Sequence, residues 1–154
     1  MKAKDIMVSD VPTISMRKTV AEAVRILKRN FGDEQYRNTL GLVVVNERGE
    51  LAGIFTYLLI ITKLLEKARL QPTPPEITEE YLAALCAQIK NVTVESIMER
   101  QAISVTEEAS ITDVADLFAT HRFQRVPVVR DKKVIGVIYR SHLMFAMTAS
   151  IDAD

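Results

Sequence analysis

The stretch Thr19-Val20-Ala21-Glu22-Ala23-Val24 returns 91 positions later as Ser110-Ile111-Thr112-Asp113-Val114-Ala115. Each copy opens on a hydroxyl residue with a carboxylate three positions on, the pattern that satisfies free N–H groups at a helix start. Apolar residues follow at helical spacing: Ala23, Ile26 and Leu27 in the first copy, Val114, Leu117 and Phe118 in the second. Working outward, the same offset relates Asp5-Ile6-Met7 to Ser96-Ile97-Met98, and Thr13-Ile14-Ser15 to Ser104-Val105-Thr106. Downstream the register changes. Val44-Val45 matches Val128-Val129 at an offset of 84, and Gly53-Ile54-Phe55 matches Gly136-Val137-Ile138 at 83. The first copy therefore carries a longer loop around Phe31 to Leu40, with Gly32 and Asn38 as turn formers. Internal repetition governs the whole reading.

Each copy predicts a strand, a helix, two strands and a closing helix. The first strands fall near Thr13–Ser15 and Ile103–Val105. The strand pairs are Leu42–Val45 with Leu51–Phe55, and Val126–Val129 with Val134–Ile138. Their turns are Asn46-Glu47-Arg48-Gly49 and Arg130-Asp131-Lys132-Lys133, and the closing helices are Tyr57–Ala68 and Ser141–Ala149. This is an α/β (α+β) chain of two βαββα repeats, residues 1–68 and 93–154, joined by 69–92. In the joining segment Pro72, Pro74 and Pro75 impose an extended link. Thr78 then caps an added helix, with Glu79 and Glu80 in its first turn and Tyr81, Leu82, Leu85, Cys86 and Ile89 as its apolar face. That helix reads either as a packed linker or as a partner-binding element.

Composition narrows the function classes. The 154 residues are 48% apolar and 26% charged, and 20 basic residues balance 20 acidic ones. A balanced chain has no electrostatic footprint for nucleic acid and none for a membrane surface. The longest apolar cluster, Tyr57 to Leu65, contains Thr62 and Lys63 and is far shorter than the ~20 residues of a membrane span. Met1-Lys2-Ala3-Lys4-Asp5 does not open a signal peptide, and one cysteine permits no internal disulfide, so a cytoplasmic location is expected. His121 and His142 are the only histidines, and no metal-ligand or phosphate-loop motif accompanies them. No catalytic role is expected, no metal is expected, and Cys86 is expected to be a small buried apolar residue.

The Asp-Ile-Met and Ser-Ile-Met starts, the Thr-Val-Ala-Glu-Ala helix opening, Arg125-Val126-Pro127-Val128-Val129 and the glycine steps at Gly53 and Gly136 together resemble the tandem CBS-domain pair, or Bateman module. The resemblance covers residues 3–68 and 93–148 and is strong because the series is duplicated in order. It implies two repeats related by a pseudo-two-fold axis, with two equivalent clefts where they meet. A ~60-residue half buries too little surface to be secure alone, which also favours one joint unit.

The family's ligand signature is Gly-apolar-apolar-Thr/Ser-x-x-Asp, whose carboxylate accepts both ribose hydroxyls of an adenosyl ligand. The first repeat reads Gly53-Ile54-Phe55-Thr56-Tyr57-Leu58-Leu59, with Leu59 at the Asp position. The second reads Gly136-Val137-Ile138-Tyr139-Arg140-Ser141-His142, with Tyr139 for Thr/Ser and His142 for Asp. Leu59 cannot bind a ribose diol, and His142 cannot clamp two hydroxyls as a carboxylate does. Cationic groups remain: His121-Arg122-Phe123-Gln124-Arg125 resembles the phosphate-contacting stretch of energy-sensing relatives, and Arg140 adds a second charge. Arg125 is read either as a phosphate ligand or as a solvated charge, and Arg122 as solvated. The candidate ligand-binding set is Thr13, Ile14, Thr56, Ile103, Arg125, Val126, Pro127, Ile138, Arg140 and His142.

The resemblance thus implies a non-catalytic regulatory module with no required cofactor, with AMP, ADP, ATP or S-adenosylmethionine as candidate ligands and an unknown effector protein as its reader. The alternative is a ligand-free dimerisation or docking scaffold. Both closing helices are apolar on more than one face, through Tyr57–Ile61, Leu64 and Leu65 in one and Leu143–Phe145 and Met147 in the other. A helix needs only one apolar stripe toward its own sheet, so a homodimer through these helices is expected. The added helix covering one of them within the chain is the alternative.

Overall fold

The computed structural model describes residues 1–31, 41–73, 76–100 and 102–151. The long loop expected after Phe31, with Gly32 and Asn38, and the prolines Pro74 and Pro75 lie outside the described residues. The helix starts follow the capping chemistry. The Thr19 N–H donates to Glu22 Oε2 at 2.8 Å and the Glu22 N–H donates to Thr19 Oγ1 at 3.3 Å. Ser110 Oγ accepts from the Asp113 N–H at 3.1 Å, and Thr78 Oγ1 accepts from the Tyr81 N–H at 3.1 Å.

The described elements run α1 (Ala3–Ile6), β1 (Thr13–Ser15), α2 (Val20–Phe31), β2 (Gly41–Val45), β3 (Leu51–Thr56), α3 (Tyr57–Arg69), α4 (Glu79–Ile89), α5 (Val94–Ile97), β4 (Val105–Thr106), α6 (Ile111–His121), β5 (Arg125–Arg130), β6 (Lys133–Tyr139) and α7 (Arg140–Met147). They form two three-stranded sheets, ordered β1-β2-β3 and β4-β5-β6. β1 runs parallel to β2, with Ile14 beside Val44, and β4 parallel to β5, with Val105 beside Val128. β5 and β6 form an antiparallel hairpin with an irregularity between Val128 and Val129. The mixed α/β class and the doubled strand–helix–strand–strand–helix order are as the repeats predict.

Two details differ. The first strand of the second repeat is Val105–Thr106, starting two residues and ending one residue later than expected, because these residues stand opposite Val128 and Val129. Ile103 lies ahead of it and is 38% exposed. On α4, Leu85 and Ile89 are one turn apart and buried, which leaves Cys86 a third of a turn away and exposed.

The chain forms two compact units. Unit 1 takes Met1–Pro12, the turn Glu47–Leu51 and the described residues from 102 onward; unit 2 takes Thr13–Asn46 and Ala52–Arg100 within the described residues. The units interleave the repeats. α1, from the first repeat, contributes Ala3, Ile6 and Met7 to a core of Val114, Phe118, Val126, Val128, Ile138 and Leu143. α5, from the second repeat, contributes Val94, with Met98 just after it, to a core of Ile14, Val20, Ala23, Leu27, Leu42, Val44, Phe55 and Ile89. α4 packs against α3 in this second core.

Candidate functional site

In unit 2 the candidates occupy β1 and the β3–α3 junction. Thr13 is exposed at the start of β1, whereas Ile14 is 4% exposed and sealed in the core. Thr56 occupies the N-cap position of α3 in extended conformation, half-buried, and its hydroxyl makes no capping hydrogen bond. Leu59, where a ribose-binding carboxylate would stand, packs against the core with Ile60 and Leu64.

In unit 1 they gather at one end of the β5–β6 hairpin. Arg125 opens β5 directly across from Tyr139, the last residue of β6. The Arg140 N–H, at the start of α7, donates to the Gln124 carbonyl at 3.3 Å, which ties the helix start to the strand entry. His142 lies edge-on to Tyr139, with ring centroids 5.6 Å apart at 62°. Its Nδ1 is buried and has no hydrogen-bond partner among the described residues. Arg125 and His142 are half-buried and Arg140 is exposed. Val126, Pro127 and Ile138 are buried within the β5–β6 pairing and offer a ligand no open surface. Ile103 does not join a strand edge.

The two segments that meet at this end are basic in sequence. Residues 121–127 and 138–144 hold His121, Arg122, Arg125, Arg140 and His142 and no carboxylate. His121 stacks on Phe123 at 4.9 Å, and Arg122 turns the chain at the end of α6 with φ 55°. The nearest acid in sequence, Asp131, sits in the turn at the opposite end of the hairpin. Such an arrangement suits an anion, and a buried imidazole nitrogen without a partner suits a ligand that brings one. Among the described residues no cluster of His, Cys, Asp or Glu has the geometry of a metal site, and no helix is long and apolar enough to cross a membrane.

Sequence reasoning noted Tyr139 only as a departure from the signature and left it out of the candidate set, yet its ring lies against His142. It also missed the purpose of the two glycines. A Cβ on Gly136 would stand 2.8 Å from Met7 Sδ and 2.9 Å from the Val8 carbonyl oxygen; on Gly53 it would meet Met98 and the Glu99 carbonyl. The signal was present, since each Ile-Met start and each glycine recur together.

Comparison with known proteins agrees with this architecture. The family model described as CBS domain matches residues 3–66 and 94–149. The CBS domain-containing protein YhcV of Bacillus subtilis is 24% identical over 135 residues, 88% of this chain and 77% of that protein. A CBS domain-containing protein of unknown function from Kribbella flavida superposes with a TM-score of 0.76 at 24% identity, covering 96% of this chain and 99% of that one. The structure of CBSX2 in complex with AMP superposes with a TM-score of 0.71 at 19% identity, covering 97% and 98%. Two matched regions, two sheets and neighbours of the same fold make this chain a tandem member of the CBS-domain family.

Proposed function

We propose that the chain is a regulatory module that senses an adenine nucleotide, or a related anion, and passes its occupancy to a partner protein by conformational change. The reading is carried by the gathering of Arg125, Arg140 and His142 at one end of the β5–β6 hairpin, with no carboxylate in the flanking segments. It is supported by the family and by a neighbour of this fold whose structure is a complex with AMP. With Leu59 and His142 at the two positions of the ribose-binding Asp, the phosphate carries most of the recognition and the sugar little.

Calorimetric titration with AMP, ADP, ATP, S-adenosylmethionine and adenosine tests this. At least one phosphate-bearing ligand is expected to bind, and Arg125→Ala is expected to weaken it by about 1.5–3 kcal/mol, tenfold or more, while adenosine changes little. Equal weakening of AMP and adenosine would remove Arg125 from phosphate recognition. Absence of binding by the whole panel would overturn the reading. It would leave a ligand-free docking scaffold, which the packing of Leu59 into the core and the exposed apolar faces of α3 and α7 favour.

A further inference from the structure

The opening segment Met1–Val8 rests on unit 1 at two places. Near its start, the Ala3 N–H donates to the Ala109 carbonyl at 2.8 Å, the Lys4 N–H to the Glu107 carbonyl at 3.0 Å, and the Ile111 N–H to the Met1 carbonyl at 3.3 Å. At its end, Val8 and Val137 exchange both backbone hydrogen bonds, at 2.8 and 2.9 Å. β6 is an edge strand of its sheet, so Val8 covers a stretch of open edge. Gly136 makes this possible. Its φ is not in the left-handed region, so the missing side chain serves no turn; it serves the approach of Met7 and Val8.

Ala3, Ile6 and Met7 also pack against the core of unit 1, and the remaining side-chain contacts lie at the surface. Lys2 and Lys4 both pair with Glu108, Lys4 at 2.7 Å, and all three side chains are about half exposed. Exposed pairs of this kind are weak and screened by salt. The helix between the two attachments is a single turn, α1, and a helix that short has little stability of its own.

We propose that Met1–Val8 is a releasable strap. It detaches from unit 1 as one piece, by an opening that costs less than unfolding the unit. Release uncovers the β6 edge at Val137, two residues before Tyr139. The same strap runs on through Ser9–Pro12 into β1. This holds whether or not a nucleotide binds.

Native-state hydrogen exchange of the full chain, read amide by amide, tests it. The Val8 and Val137 amides are expected to exchange together, at least about tenfold faster than interior α6 amides such as Phe118. Gly136→Ala should accelerate both by a further factor of about ten, because the added methyl meets the Val8 main chain, with Phe118 unchanged. Glu108→Gln, or raising salt from about 0.01 M to 1 M, should accelerate them severalfold in the same selective way. If Gly136→Ala fails to fold, the salt series on the unaltered chain decides. Exchange of Val8 and Val137 only at the rate of Phe118, at both salt concentrations, would overturn the strap.

Discussion

Met98 fills the space that a side chain on Gly53 would need: its Sδ lies 2.9 Å from where a Cβ would stand, and the Glu99 carbonyl oxygen is closer still. Ile54 and Glu99 meanwhile exchange backbone hydrogen bonds at 3.0 and 2.9 Å, so the carbonyl cannot swing aside without breaking them. Gly53→Ala is therefore expected to destabilise the chain by about 1–3 kcal/mol, the usual cost of overpacking. Urea denaturation followed by circular dichroism measures it. A loss below about 0.5 kcal/mol would show that α5 slides away freely.

The repeat, and with it the strand–helix–strand–strand–helix order, was legible because local chemistry is written twice. Thr19 with Glu22 and Ser110 with Asp113 each predict a helix start, and each forms its cap. The exchange of opening helices was not legible. Ile6-Met7 and Ile97-Met98 carry the same letters, so no periodicity tells Met7 to sit on Gly136 rather than on Gly53. The candidate site was legible as residue types, Arg125, Arg140 and His142, but not as a grouping. The grouping depends on the β5–β6 register, which sets Arg125 opposite Tyr139. Exposure of Cys86 was missed because an apolar face read from sequence has no fixed edge, and burial of Leu85 and Ile89 moved that edge.

The β5–β6 turn stores strain at a known place. Asp131 and Lys132 both have positive φ, 51° and 69°, as a two-residue hairpin of this hand requires. Asp tolerates that region, whereas Lys pays for its Cβ there. Lys132→Gly is expected to stabilise the chain by about 0.5–1 kcal/mol, the left-handed cost of Lys less the extra chain entropy of Gly. The main-chain carbonyl of residue 132, which accepts from the Leu51 N–H at 3.3 Å, is retained. A thermal-unfolding midpoint that fell on this substitution would contradict the account.

Acid should loosen unit 1 in a definite window. Hydrogen bonds from Lys2 and Lys4 lower Glu108 from its ordinary 4.5 to about 2, and the Arg130 guanidinium, at 2.8 and 2.5 Å, lowers Glu107. A carboxylate held below its ordinary value contributes stability that is complete above that value and is lost as pH falls toward the folded one. The contribution of Glu108 is thus present above about pH 4.5 and disappears toward pH 2. Because these pairs are exposed and screened, the effect is small: denaturation midpoints taken across this range should fall somewhat more in the unaltered chain than in Glu108→Gln. Identical slopes would show that the Lys2 and Lys4 contacts are not made in solution.

The outward faces of α3 and α7 carry the expectation of a homodimer. Leu59, Ile60 and Leu64 of α3 turn to the core, while Tyr57, Leu58, Ile61 and Leu65 remain 45–59% exposed even with α4 packed against this helix. On α7, Leu143 is buried, and Met144, Phe145 and Met147 are 50–61% exposed. Apolar faces of this size left in water favour association, and a patch shared by identical chains suits a two-fold contact. Ile61→Glu and Phe145→Glu each place a charge at an exposed position, so each should give a monomer with an unchanged circular-dichroism spectrum and little loss of stability. Light scattering on the unaltered chain at roughly 50 micromolar should report a dimer, as a standard interface of about 1,600 Å² would sustain. A monomer at that concentration would sink the expectation. Dissociation by Ile61→Glu alone would confine the contact to α3, and by Phe145→Glu alone to α7.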